Sequence, residues 1–361
     1  MTPSWKAFVP DVPRNSQAPP QGQRLRKPLI RRQPDNSQLV RLSFQIAFLL
    51  LNLWIGAQFY FWVRYYETGG AMVRLERPPG VEGWLPIAAL MNLKYAVLTG
   101  EVPDVHAAGL FLLVAFLAIS LVMRKAFCSW LCPVGTLSEW LWQGGEALFG
   151  RTFRAPRWLD IPLRSLKYIL MGLFTYAVAT MSTDAIRLFL TSPYGVVADV
   201  KMLDFFRFLG GTGLAIICVL LILSVFVRNA WCRYLCPYGA LMGLVSLASP
   251  ARIRREPAAC IDCAKCATAC PSLLPVDRLL TVKSAECTNC LLCVTACPAK
   301  GALQLSGPRR REIPTWAVAA TVAVIFLGVV GYARLSGQWH TTLPDALYFD
   351  LIPRAREFSH P

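Results

Sequence analysis

Residues 260–271 read C-I-D-C-A-K-C-A-T-A-C-P, and residues 287–298 read C-T-N-C-L-L-C-V-T-A-C-P. Both fit C-x2-C-x2-C-x3-C-P, a spacing that holds [4Fe-4S] clusters in pairs. Three closely spaced thiolates wrap one cubane, and the fourth cysteine, beyond a helical turn and followed by proline, reaches the other. The spacing predicts that Cys260, Cys263, Cys266 and Cys297 hold one cluster and that Cys287, Cys290, Cys293 and Cys270 hold the other. C-x2-C pairs also suit zinc, but two complete copies, each closed by its proline, argue against it. The implied unit is a compact pseudo-twofold α+β fold over residues 256–308, with residues 273–282 returning the chain between the motifs. Each cubane would have four protein thiolates and no open iron, which favours one-electron relay over catalysis at the metal.

The remainder of the chain is apolar. Of its 361 residues 55% are hydrophobic and only 16% charged, where a soluble domain carries about 25% charged. Uncharged runs near the roughly 20 residues needed to cross a bilayer occur at 42–63, 105–123, 208–227 and 313–333. A weaker run at 163–183 contains Arg164 and Lys167 near one end, where long basic side chains are expected to snorkel to the interface. The stretch 84–98 is short and holds Pro86, Asn92 and Lys94, so it reads as interfacial or re-entrant. The expected fold is an α-helical integral membrane protein of about five transmembrane helices with an inserted α+β two-[4Fe-4S] ferredoxin-like domain. Its divisions are a disordered basic tail at 1–38, a four-helix membrane domain at 39–255, the ferredoxin domain at 256–308, and a fifth helix with its tail at 309–361.

Charge tests that model. The net charge is +16, from 37 Lys and Arg against 21 Asp and Glu. Such a balance ordinarily suggests nucleic acid or an anionic surface. Counted between spans, however, residues 1–41, 124–167 and 228–312 total +17, while 64–104, 184–207 and 334–361 total −1. The whole excess falls on one side, which the positive-inside rule makes cytoplasmic. The amino terminus and the ferredoxin domain are therefore expected in the cytoplasm and the carboxyl terminus in the periplasm of a bacterial inner membrane, with no nucleic-acid partner. The tail holds seven prolines before residue 39 and the cluster Arg24, Arg26, Lys27, Arg31 and Arg32, and no apolar stretch of a cleavable signal precedes that point.

Thirteen cysteines is an odd number, which argues against a disulfide framework. Two more motifs follow spans: R-K-A-F-C-S-W-L-C-P-V-G-T-L at 124–137 and R-N-A-W-C-R-Y-L-C-P-Y-G-A-L at 228–241, aligned without a gap at an offset of 104. This reads as a duplicated half, span then CxxxCP then span. A weaker echo without cysteines is Ser192-Pro193-Tyr194-Gly195. Cysteines four apart are expected on one helix face, with Cβ atoms about 5–6 Å apart, wider than the ~3.8 Å of a relaxed disulfide. Cys128, Cys132, Cys232 and Cys236 are thus candidate redox or metal thiols in the catalytic role. The plainer alternative makes them small buried residues at helix ends. Cys218, alone in a span, reads as a core residue. Three histidines leave no bis-histidine haem site in the bundle, and no C-x-x-C-H site exists for covalent haem. Glu101, Asp104 and His106 suggest a quinol site, since quinol oxidation needs a proton acceptor, or else a polar cap on the helix. Trp54, Trp62, Trp84 and Trp130 read as interfacial anchors.

Over roughly residues 39–305 the layout resembles the membrane-bound 4Fe-4S polyferredoxins of the NapH/NosR/CcoG type. The resemblance rests on the pairs Cys128/Cys132 and Cys232/Cys236 followed by the eight-cysteine segment. It implies electron traffic between the quinone pool and a partner redox protein or respiratory complex. The nitrous-oxide regulator type carries a large flavin domain before its spans. Here 41 residues precede the first span and no Ser/Asp-Gly-x-Thr motif is present, so no covalent flavin is expected. The copper-reducing accessory type adds a β-sandwich after its last span, where this sequence has 28 residues after Ala333. The pattern is nearest a NapH-like or YccM-like protein with an extra terminal span. Two functions follow as expectations: an electron carrier or quinol dehydrogenase component, and a metal-handling or copper-reducing assembly factor for a respiratory metalloenzyme. A redox-sensing regulator is a third.

Overall fold

The structure, a computed structural model, describes residues 35–150 and 152–360; the predicted disordered tail lies almost wholly outside them. The helices in chain order are α1 (Ser37–Glu67), α2 (Pro86–Thr99), α3 (Ala107–Met123), α4 (Ala126–Trp130), α5 (Pro133–Phe149), α6 (Arg157–Thr180), α7 (Thr183–Thr191), α8 (Pro193–Val196), α9 (Ala198–Arg207), α10 (Gly211–Phe226), α11 (Ala230–Tyr234) and α12 (Pro237–Val245). Strand β1 (Arg252–Arg255) then leads into a small unit with α13 (Lys265–Thr268) and α14 (Leu292–Thr295), which closes on β2 (Leu303–Ser306). Helices α15 (Thr315–Leu335) and α16 (Asp345–Leu351) follow.

Two helices, α1 and α15, are long and apolar enough to cross a membrane. Two bent pairs qualify when each is taken as one span: α6 with α7, turning by 104°, and α9 with α10, turning by 84°. The span predicted over 105–123 is the 17-residue α3, at the short limit for crossing. Helix α3 lies at the centre of the bundle. Ala108, Leu113, Ala115 and Ile119 are buried there against Val318 and Val322 of α15. The same core continues through Met242 into Ile253, Leu291, Val294, Leu303 and Leu305. The ferredoxin unit is thus packed onto the helices rather than tethered to them. Strands β1 and β2 pair antiparallel with Ile253 opposite Leu305, which points both side chains into that shared core. The strand pair begins at Arg252, just before the boundary expected at 256.

Several sequence expectations change. Cys218 is exposed on an outer face of α10 and is not a core residue. Lys167 does not snorkel: its side chain is 0% exposed and meets Glu286 at 2.7 Å. Trp54 and Trp84 are exposed, but Trp62 and Trp130 are buried, and the Trp130 indole donates to the Asn289 carbonyl at 3.2 Å. The segment 84–98 becomes the short α2. Lys94 of α2 donates to the carbonyls of Val178, Ala179 and Met181, satisfying acceptors left free where α6 ends.

Candidate functional site

The two ferredoxin motifs share one backbone. Asp262 and Ala264 have positive φ, and so do Asn289 and Leu291 at the equivalent places of the second copy. These left-handed residues, uncommon for non-glycine side chains, reverse the chain between cysteines. Cys270, Cys287, Cys290 and Cys293 line one hollow of about 20 Å³. The last cysteine of the first motif thereby joins three of the second. Reciprocally, Cys297 is an electrostatic neighbour of Cys266. Backbone amides donate to the sulfurs: Ala267 to Cys266, Ser272 and Leu274 to Cys270, and Leu292 to Cys290. Burial pushes the Cys290 thiol up to about 12, against the pull of the nearby Arg41 guanidinium. In the second group Cys270, Cys290 and Cys293 are buried, and four partly hydrogen-bonded sulfurs around one hollow suit a [4Fe-4S] cluster; in the first group Cys266 is buried and Cys263 is exposed.

The CxxxCP motifs also repeat in three dimensions. Helices start at Ala107, Ala126 and Pro133 in one half and at Gly211, Ala230 and Pro237 in the other. The two cysteines of a pair do not share a continuous helix, as the sequence suggested. Cys128 lies in α4 and Cys132 caps α5; Cys232 lies in α11 and Cys236 caps α12. The prolines at 133 and 237 start new helices at positions that need no N–H. Cys236 Sγ accepts the Gly239 amide at 3.2 Å, and Cys132 accepts those of Gly135 and Val134. Ser192 Oγ accepts the Gly195 amide at 3.1 Å in the same way, so the cysteine-free echo is a structural echo too. A Cβ on Gly135 would collide with the Cys128 carbonyl oxygen; glycine is required for that turn to close.

All four CxxxCP thiols are electrostatic neighbours of one another. Burial pushes Cys128 up to about 12 and Cys132 up to about 11. Beside them is Lys125, 3% exposed. Burial disfavours its charge, but Cys128, Glu286, Cys232 and Cys236 more than offset this and raise it. A cavity of about 30 Å³ is lined by Lys125, Cys128 and Cys232 on the helical side and by Glu286 and Cys290 on the ferredoxin side. Among the described residues, no three His, Cys, Asp or Glu side chains crowd closely enough to hold a single metal ion, and this holds for the dicluster and CxxxCP cysteines alike.

Each half of the repeat grips one ferredoxin motif. From the first half, Ser129 donates to the Thr288 carbonyl at 2.7 Å, and Arg124 donates to that of Ser284. From the second, Arg228 donates to the Thr268 carbonyl and Arg233 to that of Ser272, both at 2.7 Å. Arg41 of α1 forms a two-pronged pair with Glu139, at 2.7 and 2.6 Å, and the neighbouring Gln38 donates to the Cys290 carbonyl at 3.1 Å.

At the opposite end the structure separates a predicted trio. Glu101 and Asp104 are exposed, whereas His106 is 1% exposed. His106 Nε2 lies 2.9 Å from the Gly195 carbonyl. Its Nδ1 faces Arg77, 3.4 Å away, and Glu82, 3.7 Å away. Arg77 also pairs with Glu82 at 2.6 Å and with Asp199 at 2.7 Å. Sequence reading missed this network, because nothing local links residues 77, 82, 106 and 199.

Comparison with known proteins agrees with this geometry. Residues 105–156 and 209–256 each match a 4Fe-4S binding domain, and residues 252–298 match a 4Fe-4S dicluster domain. The chain is 51% identical over 331 residues to YccM of Escherichia coli (strain K12), whose name proposes a role in electron transport; the match covers 90% of this chain and 93% of that protein. The regulatory protein NosR of Pseudomonas aeruginosa is 33% identical over 182 residues, 48% of this chain and 23% of NosR. The ferredoxin-type protein NapH of Haemophilus influenzae is 26% identical over 190 residues, 52% of this chain and 61% of NapH. No solved structure matches. With two domain matches meeting at the CxxxCP motifs and the cysteine-rich unit, and near-full-length likeness to YccM, the chain belongs to the membrane-bound 4Fe-4S polyferredoxin family of the NapH/NosR type.

Proposed function

We propose that this protein carries electrons one at a time between the quinone pool of a bacterial inner membrane and a partner redox protein or respiratory complex. It crosses the membrane five times, through α1, α3, α6, α10 and α15, with the ferredoxin unit and amino terminus in the cytoplasm. Cys260, Cys263, Cys266 and Cys297 ligate one [4Fe-4S] cluster, and Cys287, Cys290, Cys293 and Cys270 the other. Bound clusters of this type supply one-electron transfer with no open metal site. The protein's own residues fix distance and insulation. The Arg228, Arg233 and Ser129 contacts hold both motifs against the helices, and the shared apolar core keeps water from the buried thiols.

The observation that carries this reading is the cavity in which Cys290 meets Cys128 and Cys232. A cluster ligand and the membrane thiols face one space, so electrons have a short route between the two parts. The test uses full-length protein in lipid nanodiscs, a short-chain quinol analogue, and EPR of the clusters. Quinol should reduce the wild-type clusters. Cys132→Ser and Cys236→Ser should each block this, and the double variant should be no worse than either, because members of one unit are non-additive. Clusters that dithionite reduces but quinol leaves oxidised in the wild type would remove the quinone pool as donor.

A further inference from the structure

We infer that the exposed tip of the first ferredoxin motif, residues 262–265 around Cys263, is the docking face for a small soluble one-electron carrier protein whose own rim is acidic. This rests on the electron-carrier reading above and adds the place where the soluble partner meets the chain.

The two motifs are one backbone used twice: Asp262 and Ala264 stand where the second copy has Asn289 and Leu291, with positive φ at all four. The surroundings of the two tips are opposite. Asn289 and Leu291 are each 1% exposed. The Asn289 side chain donates to the Met123 carbonyl at 3.0 Å, its backbone carbonyl accepts the Trp130 indole, and Gln38 reaches the Cys290 carbonyl. The helices thus occupy the second tip. In the first copy the Asp262 side chain is 66% exposed, and Cys263, Ala264 and Lys265 are exposed with it. The helices hold this motif by the carbonyls of Thr268 and Ser272. Both lie beyond its third cysteine, on the stretch that carries Cys270 to the other group.

The side chains follow the same division. Leu291 and Leu292 suit a permanent apolar contact, whereas Ala264 and Lys265 at the matching places suit one that forms and parts in water, as electron-transfer encounters do across small interfaces. Charge selects the partner. Asp262 is engaged by Arg255 at 3.5 Å, and the Glu256 carboxylate accepts the Ala258 amide of its own turn at 3.4 Å. Lys265, just past Cys263, and Lys300, just past Cys297, are exposed and enter no ion pair among the described residues. Their ammonium groups stand beside ligands of the first group and attract an acidic rim. Cys263 is the exposed thiol of its group, while its counterpart Cys290 lines the cavity with Cys128 and Cys232. The first group is therefore the solvent end of the relay and the second its helical end. Each exchange at this face moves one electron and neither makes nor breaks a bond: the carrier is oxidised by one electron as the first group's centre is reduced by one, or the reverse.

Full-length protein carrying its clusters is placed in lipid nanodiscs and mixed with flavodoxin hydroquinone, an acidic one-electron donor, and reduction is followed by stopped flow and EPR. Reduction should be fast at low ionic strength and slow down as salt rises. Lys265→Glu combined with Lys300→Glu should slow it about tenfold at low salt and remove most of the salt dependence. Lys265→Arg combined with Lys300→Arg should keep the wild-type rate. Iron content and the dithionite-reduced EPR signals should persist in both, which separates a lost docking face from a lost fold. Oxidation of the dithionite-reduced protein by cytochrome c, a basic carrier, should be faster in the Glu variant. Arg309→Glu combined with Arg310→Glu, at exposed positions outside both motifs, should change the flavodoxin rate by less than about twofold; a loss as large as at the two lysines would overturn the placement of the face. Equal flavodoxin rates in wild type and the lysine-to-Glu variant, or no reduction of either, overturn the docking face. Wild-type protein that flavodoxin reduces and quinol does not upholds the face and refutes the quinone donor. Absence of any dithionite-reducible signal in the wild type removes both.

Discussion

Lys167 interrupts the least apolar of the predicted spans, and local sequence offers it only the membrane surface. The structure gives it Glu286, 119 residues further along, with both carboxylate oxygens at 2.7 Å and the Tyr168 hydroxyl donating to the same group. Arg41 with Glu139 and Arg77 with Asp199 are the same kind of finding: long-range ion pairs between residues that carry no mutual signal in one sequence. The cysteines were legible because metal ligation imposes local spacing, whereas a buried cation imposes only the need for an anion somewhere. Removing one partner of a buried pair costs about 3–5 kcal/mol, because the other charge stays buried and unpaired. Lys167→Met should therefore lower the apparent melting temperature in detergent and loosen the ferredoxin unit, read as faster hydrogen exchange at residues 284–297. Adding Glu286→Leu should recover most of the loss. A double variant as unstable as the single one would show that packing, not charge, sets the cost.

At the scale of elements, the offset of 104 residues seen in the sequence reappears in where the helices begin. The error lay in running one helix through each cysteine pair. Prolines 133 and 237 already marked new first turns, and the carbonyl at Cys128 leaves room for nothing larger than Gly135. What joins elements at the other end was not legible. Arg77 ties the loop before α2 to α9 through Asp199 and to the turn holding Glu82, which also accepts the Gly109 amide of α3 at 3.1 Å and the Thr341 hydroxyl at 2.8 Å. Burial pushes the Glu82 carboxyl up, but Arg77 and His106 outweigh it and hold it at about 2, below its ordinary 4.5. A carboxyl lowered on folding contributes stability that is complete above its unfolded value and is lost as pH falls through its folded one. The apparent melting temperature should thus drop as pH falls from about 4.5 to about 2. Glu82→Gln should be less stable at neutral pH and should flatten that acid slope. An unaltered slope in Glu82→Gln would assign the acid response to other carboxylates.

For the whole molecule, the charge count and the contacts give the same partition by independent routes. The three near-neutral segments meet at one end: Arg207 pairs with Glu67 at 2.7 Å, Arg74 with Asp345 at 2.6 Å, and Lys201 donates to the carbonyls of Ala355 and Phe358 at 2.8 Å. The basic segments meet at the other, where Gln38, Lys167 and Arg228 all reach the ferredoxin unit. Helix α2 does not disturb this count. Asn92 within it donates back to the carbonyls of Val105 and His106 at 3.0 and 2.8 Å, so the stretch returns to the end it started from. The +17 against −1 split is the ground for the proposed orientation, with the basic end in the cytoplasm. Fusions of a phosphatase reporter, active only outside the cytoplasm, should light up after residues 75, 200 and 361, and should stay dark after residues 150 and 300. Opposite readings at 150 and 300 would mean that an odd number of crossings separates the two CxxxCP motifs. They would then face different compartments, and neither the grouping of the four thiols nor its contact with Cys290 could exist.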